Sequence, residues 1–153
     1  MATQPKPFTL DTVLNYRKRL EDVAKNRFFE AKKIHTIIQE KFICEKDNLS
    51  AVSLECDELQ ANGVEITKLI LFEDKISTSQ KNIRAIEKNL QEKLKLVEQE
   101  KTNLLQRSRE YQVMERLKVE QNASWRQYLD KKEAAMLDEV AVMRHGKNPL
   151  DGQ

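Results

Sequence analysis

The near absence of helix-breaking residues constrains this chain more than any other feature. No proline lies between Pro7 and Pro149, and Gly63 is the single glycine before Gly146. On both sides of Gly63, apolar residues recur at alternating steps of three and four, the spacing with which two helices pack along a narrow seam. The sequence therefore predicts an all-α protein, a long antiparallel two-helix coiled-coil hairpin.

Each predicted helix has a seam with one irregularity. The expected first seam is Leu10, Val13, Arg17, Leu20, Ala24, Arg27, Ala31, Ile34, Ile38, Phe42, Glu45, Leu49, Val52, Cys56 and Leu59. The expected second seam is Ile76, Ser79, Ile83, Ile86, Leu90, Leu94, Val97, Lys101, Leu104, Ser108 and Tyr111. Two successive steps of four occur at 34–38–42 and at 86–90–94. If these irregularities lie opposite one another, the numbers of facing residues sum to about 132.

The expected organisation is one hairpin over residues 9–145, with disordered tails at 1–8 and 146–153. Its parts are a helix over about 9–61, a turn over about 62–66 and a helix over about 67–145. Asn62-Gly63 favours this turn because glycine commonly ends a helix in a left-handed conformation. The stretch Ser77-Thr78-Ser79-Gln80 leaves open a later start near 78, because it fits a capping box.

The second helix is expected to extend beyond the first. A sum of about 132 places Leu10 opposite residue 122, so the segment from Ala123 to about Arg144 has no facing partner. The apolar residues of this segment are Trp125, Tyr128, Leu129, Met136, Leu137, Val140 and Met143. An uncovered apolar stripe predicts a partner groove, although the helix bending back or dimerising would also cover it.

The composition disfavours nucleic-acid and membrane partners. Lys and Arg total 27 against 25 Asp and Glu, giving a net charge of +2. The opposite charges are interleaved, which is typical of a solvated helix face. No apolar run approaches the length of a membrane span, so no direct membrane insertion is expected. Cys44 and Cys56 are interpreted as ordinary thiols of a reducing cytosol.

We find no sequence pattern that indicates catalysis. Gly63 stands alone, so there is no glycine-rich phosphate loop. His35 and His145 are far apart, and neither has Cys or His at metal-ligand spacing. A two-helix rod supplies few of the concave surfaces that enzymes use. The prediction is a non-enzymatic protein with no cofactor and no metal.

Both ends of the chain resemble FliJ-family proteins. The opening Phe-Thr-Leu-Asp-Thr-Val-Leu-Asn-Tyr-Arg of residues 8–17 is similar to the family's start. The ending Leu-Asp-Glu-Val-Ala-Val-Met-Arg of residues 137–144 is similar to its closing Leu/Met-Asp-Glu-x-Ala segment. The resemblance implies a cytoplasmic component of the bacterial flagellar type III export apparatus, peripheral at the inner membrane and shaped like the stalk subunit of rotary ATPases. The implied partners are the hexameric export ATPase, the cytoplasmic domain of the export-gate membrane protein, and export chaperones that the protein escorts.

The resemblance also suggests two sets of partner-binding residues. For the ATPase side we expect Trp125, Tyr128, Asp138, Glu139 and Arg144. For the export-gate side we expect Phe29, Ile37, Phe42, Ile43, Leu49, Phe72 and Ile76. Phe42, Leu49 and Ile76 are also seam positions, so packing explains them as well as recognition does. Phe29, Ile37 and Ile43 fall on or near the outer face.

Two other functions fit a rod of this kind. One is the equivalent stalk of a virulence type III secretion system, which shares the shape. The other is a cytoskeletal or scaffold coiled coil that dimerises through its seams. A hairpin is a monomer with high helicity, whereas a scaffold of this kind forms stable dimers, so the oligomeric state separates these alternatives.

Overall fold

A computed structural model of the chain describes residues 9–146, and these form two α-helices with no strand. The first helix, α1, spans Asp11–Asn62, and the second, α2, spans Ile66–Gly146. The two helices pack against each other, which confirms the predicted all-α helical hairpin. Residues 77–80 lie inside α2, so the alternative start near 78 is wrong. Residues 1–8 and 147–153 of the tails expected at 1–8 and 146–153 lie outside the described residues, whereas Gly146 is the last residue of α2.

Local chemistry explains the ends of both helices. Asp11 lies in the first turn of α1, where the helix dipole favours negative charge. Gly63 has a φ of 81°, and its N–H donates to the Gln60 carbonyl oxygen over 3.4 Å. A residue without a Cβ adopts this left-handed conformation at little cost, so α1 ends there. The Glu65 carbonyl accepts the first amide hydrogen bonds of α2.

The seam of α1 follows an unbroken seven-residue repeat. The side chains that follow this repeat are Leu14, Arg17, Glu21, Ala24, Phe28, Ala31, His35, Ile38, Phe42, Glu45, Leu49, Val52, Cys56 and Leu59, all buried or half-buried, and the neighbouring Leu20 and Ser53 are half-buried as well. The expected irregularity at Ile34 is therefore wrong, because His35 is half-buried there while Ile34 is 40% exposed. Arg27 is likewise exposed, and Phe28 takes its place. A constant alternation of steps of three and four residues keeps one face of α1 toward α2 along the whole helix when the two helices form a left-handed supercoil.

The seam of α2 has the same regularity. From Leu69 onward its less exposed side chains include Phe72, Ile76, Ser79, Ile83, Ile86, Leu90, Lys93, Val97, Glu100, Leu104, Arg107, Tyr111, Met114, Lys118, Gln121 and Trp125. The predicted seam residues Leu94 and Lys101 are exposed, and Lys93 and Glu100 are half-buried instead. The second expected irregularity is therefore also absent.

The chain divides into two compact units. One contains α1 up to Leu20 together with α2 from Ser108, and the other contains Glu21–Arg107. The apolar cores of both are thin, because two helices cover only one side of each other. Ala24 has the lowest exposure of the described residues, at 1%, and Ala31 is 5% exposed. Their small side chains let two backbones approach closely at these seam levels.

Three contacts fix the register in the first unit. Arg17 Nη1 lies 2.6 Å from Glu110 Oε2, and Lys118 Nζ lies 3.3 Å from Asp11 Oδ1. The Lys18 ammonium lies 5.0 Å from the centre of the Tyr111 ring. The paired residue numbers add to 127 in the first case and to 129 in the other two. The expected sum of about 132 is therefore wrong, because it was anchored on irregularities that do not exist.

A buried carboxylate lies in the α1 seam of the second unit. Glu21 is only 7% exposed, and its Oε1 forms an ion pair with Lys25 Nζ at a distance of 2.9 Å. The hydrogen bond and the negative charge of Glu21 raise the pKa of Lys25 above its usual value. The second carboxylate oxygen of Glu21 is buried without a hydrogen-bond partner among the described residues. Such a group weakens the seam locally, because its desolvation is not offset by a partner on α2 among the described residues.

Candidate partner-binding surfaces

The far end of α2 carries an uncovered apolar face. Asp11, the first residue of α1, pairs with Lys118, so α2 beyond Lys118 extends past the described start of α1. Every residue from 130 to 146 is exposed. Met136, Val140 and Met143 are 60%, 48% and 62% exposed. Large apolar side chains at this exposure, side by side on one helix, are typical of a surface that binds another protein.

These apolar residues form one narrow stripe. At about 100° per residue, Trp125, Leu129, Met136, Val140 and Met143 fall within an arc of about 60°. We call this set the terminal stripe. It continues the face of α2 that packs on α1, since Tyr111 and Lys118 lie on the same side of the helix. The sequence identified these apolar residues, but only Trp125 was assigned to a site. Leu129, Met136 and Val140 follow Trp125 at steps of four, seven and four residues, and this spacing is the sequence signal that places them on the same face of α2 as Trp125.

A shallow depression lies at the start of the terminal stripe. It has a volume of about 300 Å³ and is lined by Gln121, Ser124, Trp125 and Tyr128. The Trp125 and Tyr128 rings stack with their centres 5.4 Å apart and their planes inclined by 24°. Gln121 Oε1 is buried and has no hydrogen-bond partner among the described residues. The depression is therefore lined by two stacked aromatic rings and one buried amide oxygen.

The charged residues expected on the ATPase side do not share one face. Glu139 and Arg144 border the terminal stripe on opposite edges, at about 60° and 80° from Met136. Asp138 lies on the opposite side of α2, at about 160° from Met136. All three are exposed. The geometry thus groups Trp125 with Glu139 and Arg144, and separates Asp138 from them.

The residues expected on the gate side fall into two groups. Phe29, Ile37 and Ile43 are 62%, 46% and 53% exposed, on the half of α1 that faces away from the seam. The other four are half-buried seam residues: Phe42, Leu49, Phe72 and Ile76. Their position accounts for their apolar character without a partner. The first group remains available for contacts.

Three apolar residues near the break between α1 and α2 are exposed and are absent from the predicted partner-binding sets. Ile66, Ile70 and Leu71 are 75%, 52% and 64% exposed at the start of α2. Leu71 and Phe72 border a shallow depression of about 170 Å³ together with Lys75. The run Leu69–Phe72 is the sequence signal that indicates these exposed apolar residues, because four consecutive residues of a helix cannot all face one seam.

Residues 9–146 contain none of the patterns of metal sites, membrane spans and disulfides. No group of three or more His, Cys, Asp or Glu side chains in this range is arranged to hold a metal ion. Neither α1 nor α2 contains a stretch apolar and long enough to cross a membrane. Cys44 is exposed and Cys56 is buried, and both are free thiols.

Comparison with known proteins gives one result. A family model described as flagellar FliJ protein matches residues 5–150. The match covers nearly the whole chain, including both helices and the break between them. No curated protein and no solved structure gives a significant match.

Proposed function

Because this chain belongs to the FliJ family and is thus a flagellar export-apparatus component, we propose that it is a non-catalytic stalk between the export ATPase and the export gate. The terminal stripe binds the hexameric ATPase, and the outer face of α1 binds the cytoplasmic domain of the gate membrane protein. The protein also escorts export chaperones and works at the cytoplasmic face of the inner membrane. The observation that carries the proposal is the apolar face of α2 that continues past α1.

The terminal stripe suits insertion into a ring of subunits. A single helix carrying Met136, Val140 and Met143 at 48–62% exposure can bury these side chains only against another surface. Burial contributes about 25 cal/mol per Å² of apolar area, so covering these side chains against the lining of the ring would stabilise the inserted helix. Glu139 and Arg144, at the two edges of the stripe, are positioned to select polar groups on the lining.

The outer face of α1 supports the gate contact. Phe29, Ile37 and Ile43 are exposed although the seam of the same helix is formed by other residues. Large apolar residues in such positions do not contribute to the hairpin, so a partner is the simplest reason for them.

The experiment measures ATP hydrolysis and hexamer formation by the purified cognate export ATPase. The full chain is expected to stimulate both, and a chain truncated after Ser124 is expected to stimulate neither. Val140→Glu should abolish stimulation because it puts a charge in the terminal stripe. Val142→Glu is the matched control, since Val142 is 71% exposed and lies about 120° from Met136. Equal stimulation by all four chains would refute the ATPase contact.

The gate contact needs a separate measurement. Binding to the purified cytoplasmic domain of the gate protein is measured by titration calorimetry, with Phe29→Glu as the variant. Leu54→Glu is the control, because Leu54 is similarly exposed, at 64%, elsewhere on the same helix. Loss of binding in Phe29→Glu alone is expected. Equal affinities of the two variants and the wild type would refute this surface.

A further inference from the structure

We propose that one side of the hairpin binds an amphipathic α-helix of another protein, with acidic residues along the edges of that helix's apolar face. The site is formed by Val13 and Tyr16 of α1 and by Val113 and Leu117 of α2, and we call these four residues the side patch. All four lie in the first of the two compact units. The side patch is separate from the terminal stripe, and the proposal does not depend on the stalk function.

The side patch is exposed to solvent. Val13 and Tyr16 are 38% and 57% exposed, and Val113 and Leu117 are 59% and 43% exposed. Each of the four immediately precedes a residue of the seam; these seam residues are Leu14, Arg17, Met114 and Lys118. The contact between α1 and α2 therefore leaves much of each side chain in water. Hairpin packing does not explain three aliphatic residues and a tyrosine at these positions, so they indicate a contact with another molecule.

The four residues of the side patch lie on the same side of the hairpin. A step of one residue back from the seam is a rotation of about 100° in the same sense on each helix. Because α1 and α2 run in opposite directions, these rotations lead to the same side of the pair. The Arg17–Glu110 ion pair crosses the seam on that side, since Glu110 immediately precedes the seam residue Tyr111. Lys18, which follows Arg17, contacts the Tyr111 ring on the other side.

The side patch is also compact along the helix axis. Contacts in the first unit join residues whose numbers add to 127 or 129. Val113 and Leu117 are therefore level with α1 residues near 15 and 11, next to Val13 and Tyr16. At about 1.5 Å per residue, the four Cα positions span about 8 Å along the axis. A single helix that lies between α1 and α2 can contact all four residues over about one and a half turns.

The opposite side of the hairpin is mainly polar at this level. The residues that immediately follow the same seam positions are Asn15, Lys18, Glu115 and Val119. Val119 is the apolar exception among them, and it is 67% exposed. The two sides of the hairpin therefore differ, and one of them has an apolar groove between its helices. Such a groove is the surface on which a further helix packs in helical bundles and in helix-in-groove complexes.

The outer edges of the side patch are basic. Arg19 lies three residues after Tyr16 on α1. Arg109 and Arg116 lie four residues before and three residues after Val113 on α2. Residues at these steps are neighbours on a helix surface, and all three arginines are exposed. An incoming helix would therefore meet positive charge on both sides of its apolar face.

These charges favour an acidic partner. Glu110 is paired with Arg17, and Glu120 is the acidic residue at the outer end of the side patch. Carboxylates on both edges of a partner helix would meet the arginines on both edges of the groove, whereas lysines there would be repelled. An anionic membrane surface would also attract arginines, but it covers the outward face of a helix and not a groove between two helices.

The expected interface is small. The side patch and the facing side of one helix bury on the order of 1,000 Å² in total, at the low end for a specific interface. Binding is therefore expected to be weak, with a Kd of about 10–100 µM.

The first measurement uses a synthetic helical peptide of about three heptads, with leucine along one face and glutamate on both edges of that face. The control peptide has lysine in place of glutamate. Binding of each labelled peptide to the full chain is followed by fluorescence anisotropy. The glutamate peptide should bind with the expected Kd, and the lysine peptide should bind at least tenfold more weakly. No binding of the glutamate peptide, or equal binding of the two peptides, overturns the proposal.

The second measurement locates the binding surface with two pairs of variants. Val113→Glu should weaken binding of the glutamate peptide at least tenfold, whereas Val119→Glu should leave it within twofold. Arg116→Glu should weaken binding of the glutamate peptide several-fold and improve that of the lysine peptide. Arg126→Glu, ten positions further along α2, should change neither. Circular dichroism establishes that each variant is folded, and equal effects within either pair overturn the proposed site.

The third measurement tests other occupants of the side patch. The wild type is expected to be monomeric in sedimentation equilibrium and not to bind vesicles of phosphatidylserine and phosphatidylcholine. A dimer that Val113→Glu abolishes would assign the side patch to a second copy, and vesicle binding that Val113→Glu abolishes would assign it to a membrane. A chain without residues 1–8 that binds the glutamate peptide at least tenfold more tightly would assign it to that segment. Each of these three results overturns the proposal.

Discussion

The Arg17–Glu110 ion pair should stabilise the hairpin by a measurable coupling energy. Its atoms are 2.6 Å apart, and the two side chains are 35% and 30% exposed. At an effective dielectric of about 20, two charges at this separation attract by about 6 kcal/mol before any cost is subtracted. Partial desolvation and the ordering of two long side chains offset most of that attraction. We therefore expect a net coupling of about 1 kcal/mol.

A double-mutant cycle measures this coupling. Arg17→Met, Glu110→Met and the double variant are unfolded in urea and followed by helical circular dichroism. Glu110 takes part in a further interaction, so the single variants also report that loss. The cycle subtracts it, because the double variant carries the same change. In about 1 M salt the coupling should fall by half or more, since screening shortens the range of exposed charges to a few ångströms.

The Asp11–Lys118 pair is the control for this prediction. Its atoms are 3.3 Å apart and its side chains are 53% and 41% exposed, so water competes more strongly. A coupling of a few tenths of a kcal/mol is expected there. Additive effects of the Arg17 and Glu110 variants, within about 0.3 kcal/mol, would show that the contact does not stabilise the seam. A larger coupling at Asp11–Lys118 would refute the argument from exposure.

Two further stability predictions concern the break and the seam. Gly63→Ala should lower the free energy of unfolding by about 1 kcal/mol, and Gly63→Asn should lower it by less. The cost comes from the backbone φ of 81° and not from crowding, because nothing lies within 4 Å of an added Cβ. Equal stability of the alanine variant and the wild type in urea unfolding would contradict this. Ile83→Ala should cost about 2–3 kcal/mol because Ile83 is 9% exposed, whereas Leu94→Ala should change stability by less than about 0.5 kcal/mol because Leu94 is 48% exposed. Similar thermal midpoints for the Ile83 and Leu94 variants would indicate a different seam.

Helix type and pairing could be predicted because they depend on properties summed over many residues. Long stretches without proline or glycine predict helix, and alternating steps of three and four predict a seam, so a few wrong positions do not alter the fold class. Residue-by-residue seam assignment was less successful. Apolar character alone favours Ile34 over His35 and Leu94 over Lys93 as seam residues. The structure keeps the repeat constant instead and places His35 and Lys93 half-buried in the seam.

The reason is geometric. A two-helix seam leaves each side chain partly open, so an amphipathic residue can bury its stem and keep its polar end in water. An irregular step in the repeat would instead turn all following residues of that helix away from the other helix, which would cost more free energy than one amphipathic residue in the seam. The same reasoning explains Arg17, a poor fit as an isolated seam residue, which Glu110 accommodates from the other helix. Partner preference at the terminal stripe depends on surfaces outside the chain, so residue patterns alone do not determine it.

The Arg17–Glu110 hydrogen bond joins residues 93 positions apart, and this separation has a consequence for folding. The entropy cost of loop closure is smallest for contacts nearest Gly63, so contacts between the helices should form first next to the break and the Arg17–Glu110 contact should form late. Substitutions there should then accelerate unfolding while the folding rate changes little. Fraying should begin further out, at the open end of the hairpin where Asp11 pairs with Lys118, and reach Arg17–Glu110 next. A protein that binds the segment carrying the terminal stripe would therefore bind next to the least stable part of the hairpin.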